Sequence, residues 1–313
     1  MYPDHLTEFH GLPVFDLPSG ESSEPLPEAG AVAWRLGIGW KDSESFQQRW
    51  ERFLETVDGA GVTALVIGPW REDTSDLPTK ELQLVIDAAP RLPALRAFFL
   101  GDIVSEESEI SWIEQTDLAP LLLAYPALEE LGARGGHREF TPVRHSALRT
   151  LRLESGGMSA AVVRGISESG LPALEHLTLW FGSEDYGGDT TVADLAPLLA
   201  GTGFPALRHL GLQDSEVQDD IAAAVAEAPV VRQLDSLALS LGLLTDSGAE
   251  ALLAGQSLTH LKRLDLHYHF LSDDLMGRLR AALEPAGVEL DLSEQEEGEE
   301  DDGRVWRYVA VAE

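Results

Sequence analysis

The chain of 313 residues contains no cysteine and no asparagine. The missing cysteine excludes disulfides, thiolate nucleophiles and zinc or iron–sulfur centres held by cysteine. The missing asparagine excludes N-glycosylation. The chain is long enough for one sizeable core, and its 44% apolar and 24% charged residues are typical of a folded protein.

Basic residues are scarce. Lysine and arginine together number 22 against 54 aspartates and glutamates, which gives a formal net charge of −32. Binding to a phosphate backbone requires a basic face, so no nucleic-acid partner is expected. Anchoring to a membrane surface through a basic amphipathic helix is not expected either.

Long apolar runs are also missing. Every run ends well short of the ~18 residues that a membrane-spanning helix needs. The start of the chain, from Met1 to His5, lacks the positive charges of a signal peptide, and no apolar stretch follows it. We therefore expect a cytoplasmic protein without membrane association.

Catalytic motifs are absent as well. The chain has no phosphate-binding G-x-x-x-x-G-K, no H-E-x-x-H and no G-x-S-x-G. Carboxylates are so numerous that a pair of acids does not indicate a catalytic site for hydrolysis. Those that follow the strands described below, such as Asp102, Asp214 and Asp273, are interpreted as helix N-caps or solvated turns. We expect no enzymatic activity and no cofactor.

The chain does contain a repeat of leucine-rich segments. In each copy, apolar residues recur three and five positions after the first, in the frame L-x-x-L-x-L. The eight copies begin at Val62, Leu95, Leu128, Leu148, Leu174, Leu207, Leu234 and Leu261, at spacings of 20 to 33 residues. One such segment arises by chance, whereas eight at related spacings indicate a repeat architecture.

Each copy predicts a short strand, because its L-x-L pair alternates with the period of a strand. Helical patterns separate the copies at Lys80–Ala89, Val192–Leu199, Ile221–Ala228, Ser247–Leu253 and Asp274–Leu283. The predicted N-caps are Thr79, Thr191, Asp246 and Asp273. One strand and one helix cannot bury their apolar faces alone, so stacked units predict a parallel sheet covered by helices on one side.

These features resemble the leucine-rich-repeat superfamily, and the longer copies resemble its ribonuclease-inhibitor-like class. The resemblance covers roughly residues 62–292. It implies an α/β curved solenoid, with the parallel sheet on the concave side, helices on the convex side and a cap at each end. The asparagine or cysteine that usually follows the last leucine is missing. Gly136, Gly156, Gly182, Ser215, Gly242 and His269 stand there instead. The segments 5–15 and 303–311 also resemble a family of uncharacterised bacterial cytoplasmic leucine-rich-repeat proteins.

The ends of a solenoid expose its core, so we expect three parts. Residues 1–61 form an N-terminal cap with a strand at Val32–Ile38 and a helix at Ser45–Val57. Residues 62–285 form about eight repeats, and residues 286–313 form a C-terminal cap. In that cap, the predicted strands Val288–Leu292 and Trp306–Val311 are expected to pair around Glu294–Asp302. This segment has seven acids in nine residues and is either a solvated loop or a site for a basic partner.

The residues beside the strand leucines are expected to form the exposed concave face. Three arginines balance three acids at these 24 positions, so this face is predicted to be less acidic than the rest of the chain. Trp180 on it either anchors a partner, as tryptophan often does, or packs under the loop Phe181–Asp189. The candidate partner-binding residues are Arg134, Arg152, Glu154, His176, Trp180, His209, Gln213, Arg263, Asp265 and His267.

Two groups of histidines are weaker candidates for metal binding. His176 and His209 occupy matching places on neighbouring strands, about 5 Å apart. Asp265 is aligned with His267 and His269 at a strand end. Both groups have a simpler interpretation as polar residues on a strand, and we assign no metal.

The sequence predicts a non-enzymatic protein–protein interaction module that binds an unidentified protein through the concave face. Two alternatives remain open. One is a metal-assisted hydrolase that uses the histidine groups. The other is a regulatory subunit of an enzyme encoded nearby.

Overall fold

The computed structural model describes residues 4–20, 22, 25–39, 42–71, 76–301 and 304–312. Asp302 of the predicted acidic segment lies outside these residues. Within them, the chain is a mixed α/β protein built on one twelve-stranded sheet. The strands follow one another across the sheet in chain order, so each lies beside its predecessor and its successor. A parallel sheet made by successive repeats is therefore confirmed.

The bounds of the strands match the repeat. They are β1 (Glu8–Phe9), β2 (Leu12–Asp16), β3 (Ala33–Leu36), β4 (Ala64–Ile67), β5 (Ala97–Leu100), β6 (Glu130–Arg134), β7 (Thr150–Glu154), β8 (His176–Gly182), β9 (His209–Ser215), β10 (Ser236–Ala238), β11 (Arg263–Asp265) and β12 (Glu289–Asp291). β1 and β2 pair antiparallel, and every later neighbour pairs in parallel.

The leucine frame sets the register of the sheet. Leu151, Leu177, Leu210, Leu237 and Leu264 are directly paired from one strand to the next. All five are fully buried in one continuous apolar core, which also contains the buried faces of the helices. Truncating such a leucine to alanine typically costs about 2–5 kcal/mol. The repeated leucines therefore set the register and contribute the sheet side of the core.

Among the described residues, six helices lie where the sequence predicts them, and two more, at Ala119–Ala124 and Ala160–Glu168, match no predicted helix. They are α1 (Phe46–Thr56), α2 (Thr79–Asp87), α3 (Ala119–Ala124), α4 (Ala160–Glu168), α5 (Val192–Leu199), α6 (Gln218–Glu227), α7 (Asp246–Ala254) and α8 (Asp273–Leu283). None of the helices in the described ranges combines the length and the apolar character that a bilayer crossing requires.

Three predicted N-caps are displaced by one residue. The hydroxyls of Thr245 and Ser272 accept backbone N–H groups at the starts of α7 and α8, and the acids that follow them occupy the first turn. A hydroxyl caps these donors directly, while a carboxylate one residue later is favoured by the helix dipole. Pro78 precedes α2 in place of the predicted Thr79, without a side-chain cap. Thr191 caps α5 as predicted.

Other polar side chains hold the turns after the strands. His269 is fully buried, and its Nδ1 accepts the Leu271 N–H at 3.2 Å while its Nε2 lies 3.3 Å from the Leu292 carbonyl. Gln218 is also buried and donates to the Leu212 carbonyl at 2.9 Å. These bonds satisfy backbone groups that would otherwise be buried without partners. Histidine and glutamine therefore hold turns here in the absence of asparagine.

The C-terminal region differs from the prediction. β12 pairs only with β11 among the strands of the described residues, and the predicted pairing of 288–292 with 306–311 is wrong. A separate hairpin forms instead between β13 (Glu299–Asp301) and β14 (Arg304–Trp306). The residues after this hairpin return to the sheet, where Val311 becomes fully buried. Burial of this valine stabilises the returned segment.

Candidate functional site

The candidate site lies on the sheet face opposite the strand leucines, called the second face here. Side chains of a strand point alternately to opposite faces of the sheet, so every second residue of each strand belongs to the second face. The second face from β7 to β11 consists of Thr150, Arg152, His176, Thr178, His209, Gly211, Ser236, Ala238, Arg263 and Asp265, which are in direct register.

A cavity of about 430 Å³ opens on the second face. Seven of the ten candidate residues line it, namely Arg134, Arg152, Trp180, His209, Gln213, Asp265 and His267. The rest of the lining consists of Asp4, Leu6, Thr178, Ala238 and Leu241. Of the other three candidates, Glu154 is fully buried and pairs with two of the lining arginines, while His176 and Arg263 are the first residues of β8 and β11 and do not line the cavity. The register of the sheet has therefore brought most of the predicted residues together.

Two arginines share one carboxylate at the cavity. The Nε of Arg134 donates to Glu154 at 2.7 Å, and both side chains are fully buried. Arg152 contacts the other oxygen of Glu154, remains 42% exposed and places its guanidinium 5.8 Å from the Trp180 ring centre. The sequence predicts exposed partner-binding roles for Arg134 and Glu154. In the structure they form a buried pair, because the carboxylate and the Ile103 carbonyl satisfy the Arg134 guanidinium.

Trp180 is only 7% exposed. It packs with Ile110, Leu241 and Val311 in a small apolar cluster, separate from the main core. Val311 of the C-terminal segment helps to cover it. Neither sequence interpretation, an anchor for a partner or packing under the loop Phe181–Asp189, includes this segment. Trp180 therefore forms part of the cavity wall and has little surface of its own.

His209 is an uncharged member of the cavity lining. Burial, reinforced by the neighbouring His176, lowers the pKa of His209 to about 4. Its Nδ1 lies 2.8 Å from the Ser236 hydroxyl, and its ring stacks on that of His176 with centroids 5.8 Å apart. At neutral pH this position offers a hydrogen-bonding ring without charge.

His267 and Asp265 form a hydrogen-bonded pair in the cavity lining. The His267 Nδ1 lies 2.6 Å from the Asp265 carboxylate, and this hydrogen bond raises the pKa of the imidazole. Arg263 at the start of β11 contacts Asp265, Glu289 and Asp291 at 3.2–3.5 Å. His269 does not join this group, because both of its ring nitrogens are engaged by the turn after the strand.

The N-terminal segment lines the cavity, and the C-terminal segment packs against its wall. The Leu6 N–H donates to the buried Asp102 carboxylate at 3.1 Å, and Phe9 packs edge-on against Phe99 at 6.0 Å. In the C-terminal segment, the Ala310 N–H donates to the Leu241 carbonyl at 2.8 Å. The expectation that Asp102 caps a helix or lies in a solvated turn is wrong, because the N-terminal segment buries it.

The residues that sequence reasoning missed are of two kinds. Thr178 and Ala238 belong to the second face by alternation, which is a signal present in the repeat. Leu6, Asp4 and Leu241 reach the cavity through folded-back segments and loop conformations, which no local pattern indicates.

Comparisons with known proteins support the fold. No family model matches the chain, and no curated protein matches it. A solved structure of a Bacteroides fragilis protein is 30% identical and superimposes with a TM-score of 0.77, covering 84% of this chain and 74% of that chain. An internalin from Listeria monocytogenes is 12% identical with a TM-score of 0.38, covering 84% of this chain and 61% of that chain. The sheet of successive parallel strands fits a leucine-rich-repeat-like fold. The chain belongs to the same family as the Bacteroides fragilis protein.

Proposed function

We propose that this chain is a protein-interaction module that binds a partner protein through the second face of its sheet. The observation that carries the proposal is the cavity of about 430 Å³, which gathers seven of the ten residues chosen from the repeat alone. Those residues come from five strands and the loop that follows β11, so the repeat architecture itself creates the cavity.

The lining has the mixed chemistry of a recognition site. Leu6, Ala238 and Leu241 provide apolar surface, and Arg152 provides a partly exposed guanidinium. The neutral ring of His209 adds a hydrogen-bonding group. Binding cavities are typically apolar with a few placed polar groups, and arginine and tryptophan dominate many protein interfaces. A side chain or a short chain segment of a partner fits a space of this size.

The proposal includes the organisation of the chain. Residues 62–285 act as the curved repeat with the second face on its concave side, and residues 1–61 and 286–313 act as its caps. The module contributes binding without catalysis, and a protein of this kind belongs in the cytoplasm. Both end segments help to shape the site, since they reach the second face.

A bulky substitution inside the cavity tests the proposal. Thr178 lies between Arg152 and Gly211 in the sheet register, so Thr178→Arg fills the space directly. Leu123→Arg is the matched control, because Leu123 is exposed on α3. A partner recovered from the native host with the unmodified protein is then titrated against each purified variant.

We expect Thr178→Arg to weaken binding by at least about 2 kcal/mol, or roughly thirtyfold, while Leu123→Arg binds normally. Circular dichroism verifies that both variants are folded. Equal affinities of the two folded variants for the partner would remove the second face from consideration.

A further inference from the structure

We propose that Asp265, His267 and Asp291, called the acid–histidine cluster here, bind a divalent transition-metal ion. Each residue offers one ligand atom, and these atoms all lie within 4.8 Å of one another. In the part of the chain that the structure describes, no other group of three or more potential ligands is this close. The proposal is independent of the protein-binding function proposed above.

The sheet register creates the cluster. Asp265 on β11 is directly paired with Asp291 on β12, so their carboxylates lie side by side on the second face. His267 follows Asp265 by two residues and returns to the same side. The three side chains are partly buried, with exposed fractions of 16%, 23% and 32% for Asp265, His267 and Asp291. Two of the ligands therefore lie on paired strands and the third follows one of these strands by two residues, which favours a defined site over a flexible acidic loop.

Hydrogen bonds already orient two of the three ligands. The Asp291 Oδ1 accepts from the Ser293 N–H at 3.1 Å and from its hydroxyl at 2.7 Å. The Asp265 Oδ1 accepts from the His267 N–H at 3.1 Å. Such outer contacts fix the direction of metal-ligating side chains.

The charge around the cluster favours a divalent cation. Asp265, Asp291 and Glu289 contribute three negative charges against the single positive charge of Arg263, which leaves −2 with a neutral imidazole. The Oδ2 atoms of Asp265 and Asp291 face the Arg263 guanidinium at 3.5 and 3.3 Å. A bound divalent ion balances the remaining charge, and Arg263 is its competitor for the two carboxylates.

The ligand set indicates which metal is bound. One imidazole with two carboxylates suits Zn²⁺ or Mn²⁺, whereas sites for Mg²⁺ and Ca²⁺ consist of oxygen ligands. Three protein ligands leave a coordination position for water or a bound group. Asp265 and His267 also line the cavity of the second face, so an ion held by them borders that space.

Calorimetric titration of the full chain with Zn²⁺ tests the proposal. A chelator first removes bound metals, and the titration is carried out in excess Mg²⁺. We expect saturable binding of one ion per chain. His267→Gln and Asp291→Asn should each weaken it by at least about tenfold, since even outer-shell changes cost that much. His176→Gln is the control, because this histidine lies on the same face in a pair that lacks a carboxylate ligand.

Arg263→Gln separates a metal site from a purely structural ion-pair cluster. Removing the competing guanidinium should leave Zn²⁺ affinity unchanged or increase it. The proposal is overturned if Zn²⁺ does not bind saturably, if excess Mg²⁺ abolishes binding, or if His267→Gln binds as well as His176→Gln does. Thr178→Arg should lose partner binding and keep Zn²⁺ binding, whereas His267→Gln tests Zn²⁺ binding alone. The failure of one proposal can therefore be distinguished from the failure of the other.

Discussion

The backbone N–H of Val311 donates to the carboxylate of Asp214 at 3.0 Å, across 97 residues of sequence. Both residues are fully buried. On the other side of the segment, Gly156 allows close approach, since a Cβ there would lie 2.6 Å from the Ala312 carbonyl oxygen. The C-terminal segment is thus inserted between the ends of several repeats, where Val311 covers Trp180.

This arrangement predicts that Val311→Ala destabilises the protein. Loss of two buried methyl groups should lower the free energy of unfolding by about 1–3 kcal/mol, because the shorter side chain leaves a cavity in the surrounding apolar cluster. Urea denaturation followed by circular dichroism measures the change. Val305→Ala is the control, since Val305 is exposed on the terminal hairpin and should be nearly neutral. Equal stability of the two variants would mean that the segment is not docked.

Gly156→Ala should act through the same segment. A methyl group at this position collides with the backbone of Ala312, so the segment must shift away from the repeat ends. We therefore expect the double variant with Val311→Ala to be less destabilised than the sum of the single variants, which a double-mutant cycle of unfolding free energies measures. Additive effects would show that the two positions are not coupled.

The buried carboxyl of Asp214 predicts a pH dependence of stability. Burial raises the pKa of Asp214 well above its ordinary value, and the N–H of Val311 offsets this only in part. The folded state therefore holds a proton that the unfolded state releases from about pH 4 upward. The stability that protonated Asp214 contributes is therefore lost as the pH rises from about 4 through the raised pKa of the folded state.

Asp214→Asn removes this titration. Asparagine retains the carbonyl acceptor and tolerates the left-handed backbone at this position, where φ is 57°. Relative to the unmodified protein, the variant should gain stability as the pH rises from 4 to neutrality, as measured by thermal unfolding across that range. A difference between the two proteins that does not change with pH would contradict the account.

The ion pair of Arg134 and Glu154 predicts a large effect of a single neutralisation. Glu154→Gln leaves the buried Arg134 guanidinium without its countercharge, which typically costs about 3–5 kcal/mol. Asp235→Asn is the control, because Asp235 pairs with Lys262 at the surface, where such pairs contribute at most about 1 kcal/mol. Urea denaturation should separate the two variants clearly, and similar losses would argue against burial of the Arg134 pair.

His209 and His267 should titrate in opposite directions from the ordinary pKa of histidine. We expect the His209 imidazole to protonate near pH 4, because burial and His176 oppose its charge. We expect the pKa of His267 to lie above its ordinary value, because the hydrogen bond to Asp265 stabilises its charged form. Protonation of His209 should also cost stability as the pH falls toward 4, since the unfolded state takes up that proton more readily. NMR titration of the ring signals, assigned by His209→Gln and His267→Gln, measures both values.

The fold could be predicted from the sequence because its determinants are local and repeated. The alternation around Leu151, Leu177 and Leu210 predicts a strand at each of them, and their spacing places these strands side by side. The returning C-terminal segment could not be predicted in this way. The alternation in 306–311 resembles that of an edge strand, and nothing near Asp214 in sequence indicates that a distant N–H will reach it.

The candidate site was predictable to the extent that the repeat determines it. Alternation identifies Arg152, His209 and Asp265 as neighbours on one face, and the structure places them around one cavity. Alternation does not reveal burial, so Arg134 and Glu154 could not be recognised as a buried pair. Asp291 lies between Leu290 and Leu292, the leucine pair of a truncated last copy, so the repeat frame does align it with Asp265.

We propose that a partner protein binds over the cavity of the second face. Site-specific photocrosslinking tests this most directly, with a photoreactive amino acid placed at position 178 in the cavity or at position 123 on the exposed surface of α3. The account predicts a covalent adduct with the partner from position 178 and none from position 123. An adduct from position 123 alone would contradict it.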